Sequence, residues 1–145
     1  MEIRELICGE FDTALQLAWK VFREYEAPDY SEEGVQAFWN SIHDKDYIKM
    51  LRIYGAFENN NMVGMLATRN NGSHVALFFV DGMYHKKGIG RQLFEKACSD
   101  NISGTITVNS SPYAIEVYHH LGFTDTDTDT DGLIYTPMIC YLQAK

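Results

Sequence analysis

Positive charge is scarce in this chain: 12 Lys and Arg stand against 20 Asp and Glu, a net charge of -8 over 145 residues. No broad basic face can be built from that balance, which argues against nucleic acid or an anionic membrane as the main partner. Cysteine is equally sparse. Cys8, Cys98 and Cys140 are odd in number and far apart, which fits reduced thiols in a cytoplasmic protein better than a disulfide framework. None carries a neighbouring motif of a nucleophile, and each is expected to be a small buried hydrophobe. No apolar run approaches 18 residues, and the polar start Met1-Glu2-Ile3-Arg4-Glu5 has no signal-peptide pattern, so a cytoplasmic location is expected. At 46% hydrophobic, residues 1–145 are expected to form one domain that buries about 68–70% of its unfolded surface.

What is there organises readily. Residues 2–7 read as a short strand. Phe11, Ala14, Leu15, Ala18, Val21, Phe22 and Tyr25 recur at helical spacing. After the break at Ala27-Pro28-Asp29-Tyr30, Ser31 reads as the N-cap of a second helix with Val35, Phe38, Trp39 and Ile42 as its apolar stripe. Three strands follow, turned by Asn59-Asn60-Asn61 and by Asn71-Gly72, where positive φ is needed. The third, His74 to Val80, is nearly all apolar and reads as covered on both faces. A helix from Gly88 to Ser99, a strand from Thr105 to Val108, a short helix opened by Ser111-Pro112 and closed by Gly122, and a strand from Leu133 to Leu142 complete the chain. Pro137 implies an edge or a bulge in that last strand. The order is βααβββαβαβ, with room for a short extra strand near Phe123: an α/β fold with a mixed sheet, whose strand–helix–strand unit predicts a right-handed parallel crossover.

The densest chemical signal is Val80-Asp81-Gly82-Met83-Tyr84-His85-Lys86-Lys87-Gly88-Ile89-Gly90-Arg91. An apolar strand runs through a basic, glycine-bearing loop straight into a helix, whose first N–H groups lack partners and carry the positive end of its dipole. Gly88 and Gly90 let main chain approach a ligand, and Lys86, Lys87 and Arg91 add charge. This is a phosphate-binding device. It is neither a Walker loop, since Lys87 precedes Gly88 and no hydroxyl follows, nor a dinucleotide fingerprint, since position 93 is Leu93.

His85-Lys86-Lys87-Gly88-Ile89-Gly90 together with Tyr118-His119-His120-Leu121-Gly122-Phe123 resembles the GNAT N-acetyltransferase superfamily. That family carries Gln/Arg-x-x-Gly-x-Gly/Ala after its fourth strand and Tyr-x-x-x-Gly-Phe at the end of a later short helix. His85 departs from the first position of the loop motif. The resemblance covers essentially the whole chain and implies fourth and fifth strands that splay apart around acetyl-CoA. On that basis the main chain of Phe78 and Val80 pairs with pantetheine, and amides from His85 through Lys86, Lys87, Gly88, Ile89 and Gly90 to Arg91 hold the pyrophosphate. Asn109 or Ser111 contacts the pantetheine or acetyl end, the family's asparagine mapping onto Ser111. Gly82 stands where proline is frequent and is expected to soften the entry to the loop.

The implied reaction is direct attack of an amine on the thioester, with strand amides polarising the carbonyl. Tyr118 matches the tyrosine that protonates the departing thiolate. By spacing alone it reads as a buried core tyrosine, and the Gly-Phe context is what favours the acid. For the base, Glu24, Glu26, Glu58, His74, Asp81 and a water chain all stay open. No metal is expected. Asp127, Asp129, Asp131 and Gly132 match the start of a calcium loop, but Met138 stands where its bidentate Glu belongs. A solvated acidic loop is favoured there, with steering of cationic acceptors as a second possibility. The acceptor is expected to be a small-molecule or peptide amine. Tyr25, Tyr30, Trp39 and Tyr54 are candidates for an aromatic acceptor pocket, although aromatics at helical spacing are commonly core. Other classes are an acyl-CoA sensor of the same fold and a calcium-regulated protein.

Overall fold

The structure, a computed structural model, describes residues 1–126 and 135–142. Its strands are β1 (Glu2–Glu5), β2 (Arg52–Glu58), β3 (Asn61–Arg69), β4 (His74–Val80), β5 (Thr105–Ser110), β6 (Thr124–Asp125) and β7 (Thr136–Tyr141). The α-helices are α1 (Phe11–Val21), α2 (Glu32–Ile42), α3 (Lys45–Lys49), α4 (Ile89–Ser99) and α5 (Ile115–Leu121). The short strand expected near Phe123 is β6. The element not expected is α3, a single turn capped by the Asp44 carboxylate and too short to show a period.

The strands form one sheet in the order β1-β2-β3-β4-β5-β7-β6. Only β4 and β5 run parallel, and they pair only at His74–Thr107 and Val75–Val108. Beyond Val75 the two strands part. A bulge marks the same place: Ala67 of β3 lies opposite Leu77 and Thr68 opposite Val75, so Ala76 is the extra residue and side-chain parity reverses there. From Ala76 onward, β4 has no strand beside it on the β5 side.

Each face of the sheet carries its own core. On one face α1 buries Ala14, Leu15, Leu17, Ala18 and Val21 against Ile53, Met65, Leu77 and Phe79. On the other, α4 brings Ile89, Leu93, Phe94 and Ala97 onto Tyr54, Leu66, Ile106 and Met138. Each large aliphatic side chain so placed contributes roughly 1.5–3 kcal/mol. β4 is not covered on both faces as its sequence suggests. Leu77 and Phe79 are buried, whereas Phe78 and Val80 are half-buried because they face a cavity. Pro137 causes no bulge, since β7 keeps register with β5 across it. It sits just past the point where β6 ends, a local edge. Of the cysteines, Cys140 is buried and Cys98 intermediate, but Cys8 is exposed, contrary to expectation. Among the described residues no helix is long and apolar enough to cross a membrane.

Candidate active site

Two local features of the backbone aim the site. The first is the start of α4. α2 is capped by the Ser31 hydroxyl and α3 by Asp44, but α4 begins at Gly88, which has φ +80° and no side chain to cap with. The first helical N–H to find a carbonyl is that of Gln92, which donates to Gly88. None of the amides from Lys86 to Arg91 donates to a main-chain carbonyl among the described residues. An N-cap worth about 1 kcal/mol has been left out, and the donors stay free for an anion. Lys86 is also left-handed, at φ +64°, which costs a non-glycine residue about 1–2 kcal/mol.

The second feature is a π turn, Phe22–Glu26, that extends α1. With its wider i→i+5 hydrogen bonding, the π turn brings position 26 round to follow Val21 on the inward face, where a regular helix would have placed Tyr25. Glu26 therefore points its carboxylate into the molecule. Tyr25 turns instead toward the loop, packing on His85 at 5.0 Å and on Tyr113 at 5.3 Å between ring centroids. Gly82 faces the end of the Tyr25 side chain. A Cβ there would strike the Tyr25 hydroxyl and lie 2.9 Å from Tyr25 Cζ. Asp81 fastens the same segment by accepting from Met83 N at 3.0 Å and from Lys20 Nζ at 2.9 Å.

Two cavities meet behind these features. One, of about 260 Å³, is bounded by Phe78 and Val80 of β4, by Tyr84 to Lys86 and Gly88 to Gly90 of the loop, and by Tyr113, Val117 and Tyr118. The other, of about 140 Å³, lies where β4 and β5 part, among Phe22, Tyr30, Phe38, Val108, Asn109 and Ser111. Glu26, Phe78, Phe79, Ala114 and Tyr118 line both.

Glu26 and Tyr118 thus stand at the junction. Burial pushes the Glu26 carboxyl from its ordinary 4.5 up to about 7, with nearby Asp29 adding to the rise. Ser111 Oγ is buried with no partner at hydrogen-bond geometry, yet lies near enough to Glu26 to pull that value down a little. Burial likewise pushes the Tyr118 phenol up, reinforced by Glu26 and Tyr30, so it stays protonated at neutral pH. Its ring is held edge-on by Phe123 at 5.3 Å and Phe78 at 6.0 Å. A carboxylate that ionises near neutrality beside a phenol that does not gives a proton acceptor and a proton donor in one place.

The sequence matches the acetyltransferase (GNAT) domain family over residues 26–142. The chain belongs to the GNAT acetyltransferase family. It is an acetyl-CoA-dependent N-acetyltransferase by that membership. The fold agrees. A GCN5-related N-acetyltransferase from Rhodopseudomonas palustris superposes with a TM-score of 0.79 at 20% identity, over 97% of this chain and 95% of that one. The PaiA N-acetyltransferase of Thermoplasma acidophilum in complex with coenzyme A gives 0.72 at 19% identity, over 97% and 98%. Tetrahymena GCN5 gives 0.70 at 17% identity, over 99% and 97%. No curated protein matches the chain in sequence.

In this acetyltransferase the residues expected at the cofactor divide in two. Phe78, Val80, His85, Lys86, Gly88, Ile89 and Gly90 line the larger cavity. Asn109 and Ser111 line the smaller one, away from the loop. Arg91 lines neither, because its guanidinium donates to the His120 carbonyl at 2.8 Å and ties α4 to α5. Lys87 lies over the Tyr84 ring at 5.4 Å. His85 Nε2 bonds the Val80 carbonyl at 2.6 Å, so that oxygen already has one partner. Of the five side chains proposed as base, Glu26 alone lines these two cavities. Asp81 is held low by Lys20, His74 is bonded to Thr107 Oγ1 at 2.7 Å where β4 still pairs with β5, Glu24 is exposed, and Glu58 ends β2.

Of the four aromatics proposed for an acceptor pocket, Tyr30 alone lines the smaller cavity. Trp39 meets Trp19 edge-on and packs against His43 at the outside of α2, and Tyr54 is buried beside α4 with its hydroxyl on Asp100 at 2.7 Å. Phe22 and Phe38 take their place. They are part of the helical stripes and look like ordinary core, so nothing in their spacing marks them. Among the described residues no group of three or more His, Cys, Asp and Glu is placed to hold a metal ion. The acidic run from Asp127 to Gly132 lies outside the described residues.

Proposed function

We propose that the protein transfers the acetyl group of acetyl-CoA to a primary amine by direct attack, with Glu26 as the base and Tyr118 as the acid. The observation that carries this is the position of those two side chains at the meeting of a cavity closed by unpaired amides and a second, separate cavity. The larger cavity takes the pantetheine and pyrophosphate. Amides from Lys86 to Arg91 receive the phosphates, and the free edge of β4 at Phe78 and Val80 receives the pantetheine. The acceptor enters from the smaller cavity.

The protons balance through the two junction residues. An ammonium loses one proton to Glu26, and the neutral nitrogen attacks the thioester carbon. Unpaired amides of β4 beyond the bulge stabilise the oxyanion. The carbon–sulfur bond then breaks, Tyr118 passes its proton to the leaving sulfur and takes up the second proton of the nitrogen in its place, and Glu26 releases the first to solvent. Because Tyr118 is a weaker acid than an ordinary phenol, it acts by donating its hydrogen bond as charge grows on sulfur, not by ionising in advance.

The test is thiol release from acetyl-CoA in the presence of amines, alongside calorimetric binding of acetyl-CoA. Tyr118→Phe should bind acetyl-CoA as the parent does and lose turnover. Failure of the parent protein to bind acetyl-CoA would refute the proposal.

A further inference from the structure

The bare edge of β4 carries one acceptor that is already taken. Asp81 N donates to Val63 O at 2.8 Å, beside the Gly64–Val80 pair that β4 makes with β3. Main-chain groups alternate sides along a strand, so Phe79 and Asp81 turn theirs to β3, and Phe78 and Val80 turn theirs to the open side. On that open side the Val80 carbonyl meets His85 Nε2 at 2.6 Å. A carbonyl only accepts, so Nε2 carries the hydrogen and donates it.

The imidazole is braced in this position. Tyr25 of the π turn packs on its ring at 5.0 Å between centroids, and Tyr113 packs on Tyr25 at 5.3 Å. His85 also lines the larger cavity, together with Phe78 and Val80. It directly precedes the amides of Lys86 to Arg91, which make no main-chain bond among the described residues. One side chain therefore stands between the strand edge and the phosphate loop.

Resting on the cofactor placement proposed above, we infer that His85 is a specificity-determining residue, which favours a nucleotide-bearing thioester over a bare pantetheine thioester. A pantetheine amide N–H that pairs with Val80 O takes the place of the imidazole. That exchange gains little by itself, since one hydrogen bond replaces another and the Nε2–H returns to water. A pyrophosphate at the neighbouring amides changes the balance. It offers the released Nε2–H a charged acceptor, and hydrogen bonds to a charged partner are roughly twice as strong as neutral ones. Acetyl-CoA satisfies both the carbonyl and the imidazole. S-acetylpantetheine satisfies the carbonyl alone.

Equilibrium titration of the parent, His85→Ala and His85→Gln with acetyl-CoA and with S-acetylpantetheine is the test. His85→Ala should bind S-acetylpantetheine about threefold more tightly, because nothing competes for Val80 O, and acetyl-CoA about tenfold more weakly. The preference for acetyl-CoA should then fall roughly thirtyfold. His85→Gln retains an N–H donor and should keep most of the preference. A side chain that merely props the loop would weaken both ligands together; that result, or an unchanged preference, overturns the inference. In the parent, the Nε2 nitrogen resonance of His85 should move when acetyl-CoA saturates the protein. A resonance that stays at its free position overturns the inference as well. Failure of the parent to bind acetyl-CoA at all overturns the acetyl-transfer proposal and this inference with it, whereas the other adverse results leave that proposal standing.

Discussion

The two cavities are made of different material. The larger one ends in main chain: a glycine cap, a left-handed lysine and a run of free amides, all from one continuous stretch of sequence. The smaller one is made of side chains from separated segments: the π turn after α1, Tyr30, the face of α2, β4, the end of β5, and Ala114 and Tyr118 beyond it. Main chain recognises what any nucleotide-bearing thioester has in common. In the proposed reaction, side chains recognise the acceptor. A site assembled this way keeps one half constant while the other is free to change, and damage to each half should register in different kinetic parameters.

The largest effects are expected where the halves meet. Tyr118→Phe should lower kcat about 10²–10³-fold with little change in acetyl-CoA affinity, as read by calorimetry and steady-state assay. An unchanged kcat would remove Tyr118 from the chemistry and return it to the core.

Glu26→Gln should lower kcat/KM about 10²-fold and alter stability in the opposite sense. The folded-state pKa of Glu26, about 7, lies above its ordinary 4.5. Between those values the folded protein holds a proton that the unfolded chain has lost. Stability from this group is therefore full below 4.5, declines as pH rises through 7, and is lowest above it. Removing the charge should raise stability at pH 8 by about 1–3 kcal/mol, seen as a higher melting temperature than the parent at that pH but not at pH 5.

Damage to the main-chain half should be milder and confined to the cofactor. Gly88→Ala meets no neighbouring atom but must hold φ +80°, a strain of about 1–2 kcal/mol. Acetyl-CoA should bind roughly tenfold more weakly, with the amine KM hardly moved. A large change in amine KM instead would break the division between the halves.

Smallest of all is a control far from either cavity. Glu10 accepts from both Arg4 Nη1 and Nη2, at 2.8 and 2.6 Å, and that pairing lowers its carboxyl to about 2. Its sign is the reverse of that of Glu26: the contribution is present above 4.5 and is lost as pH falls toward 2. Glu10→Gln should flatten the acid limb of the melting curve and leave activity at neutral pH unchanged.

The same division explains what the sequence made legible. The phosphate loop, α4, Tyr118 and Gly122 lie in short contiguous motifs, and element order follows from hydrophobic period and turn residues. Glu26 was only one carboxylate among several, because the π turn breaks the helical period that would have pointed to it. Phe22 and Phe38 carry the pattern of core residues and are partly core. The packing of Tyr25 against Gly82, 57 positions away in sequence, is unpredictable from either residue alone. Local chemistry is written locally. Surfaces made by tertiary packing are not.

The account rests on Glu26 as the group that takes the proton from the amine, and the pH dependence of kcat/KM in the parent and in Glu26→Gln tests it most directly. The parent should show a rising limb with its midpoint near 7. In the variant that limb should vanish, leaving only the slope due to deprotonation of the amine itself. A limb with the same midpoint in both proteins would contradict the assignment and place the base elsewhere.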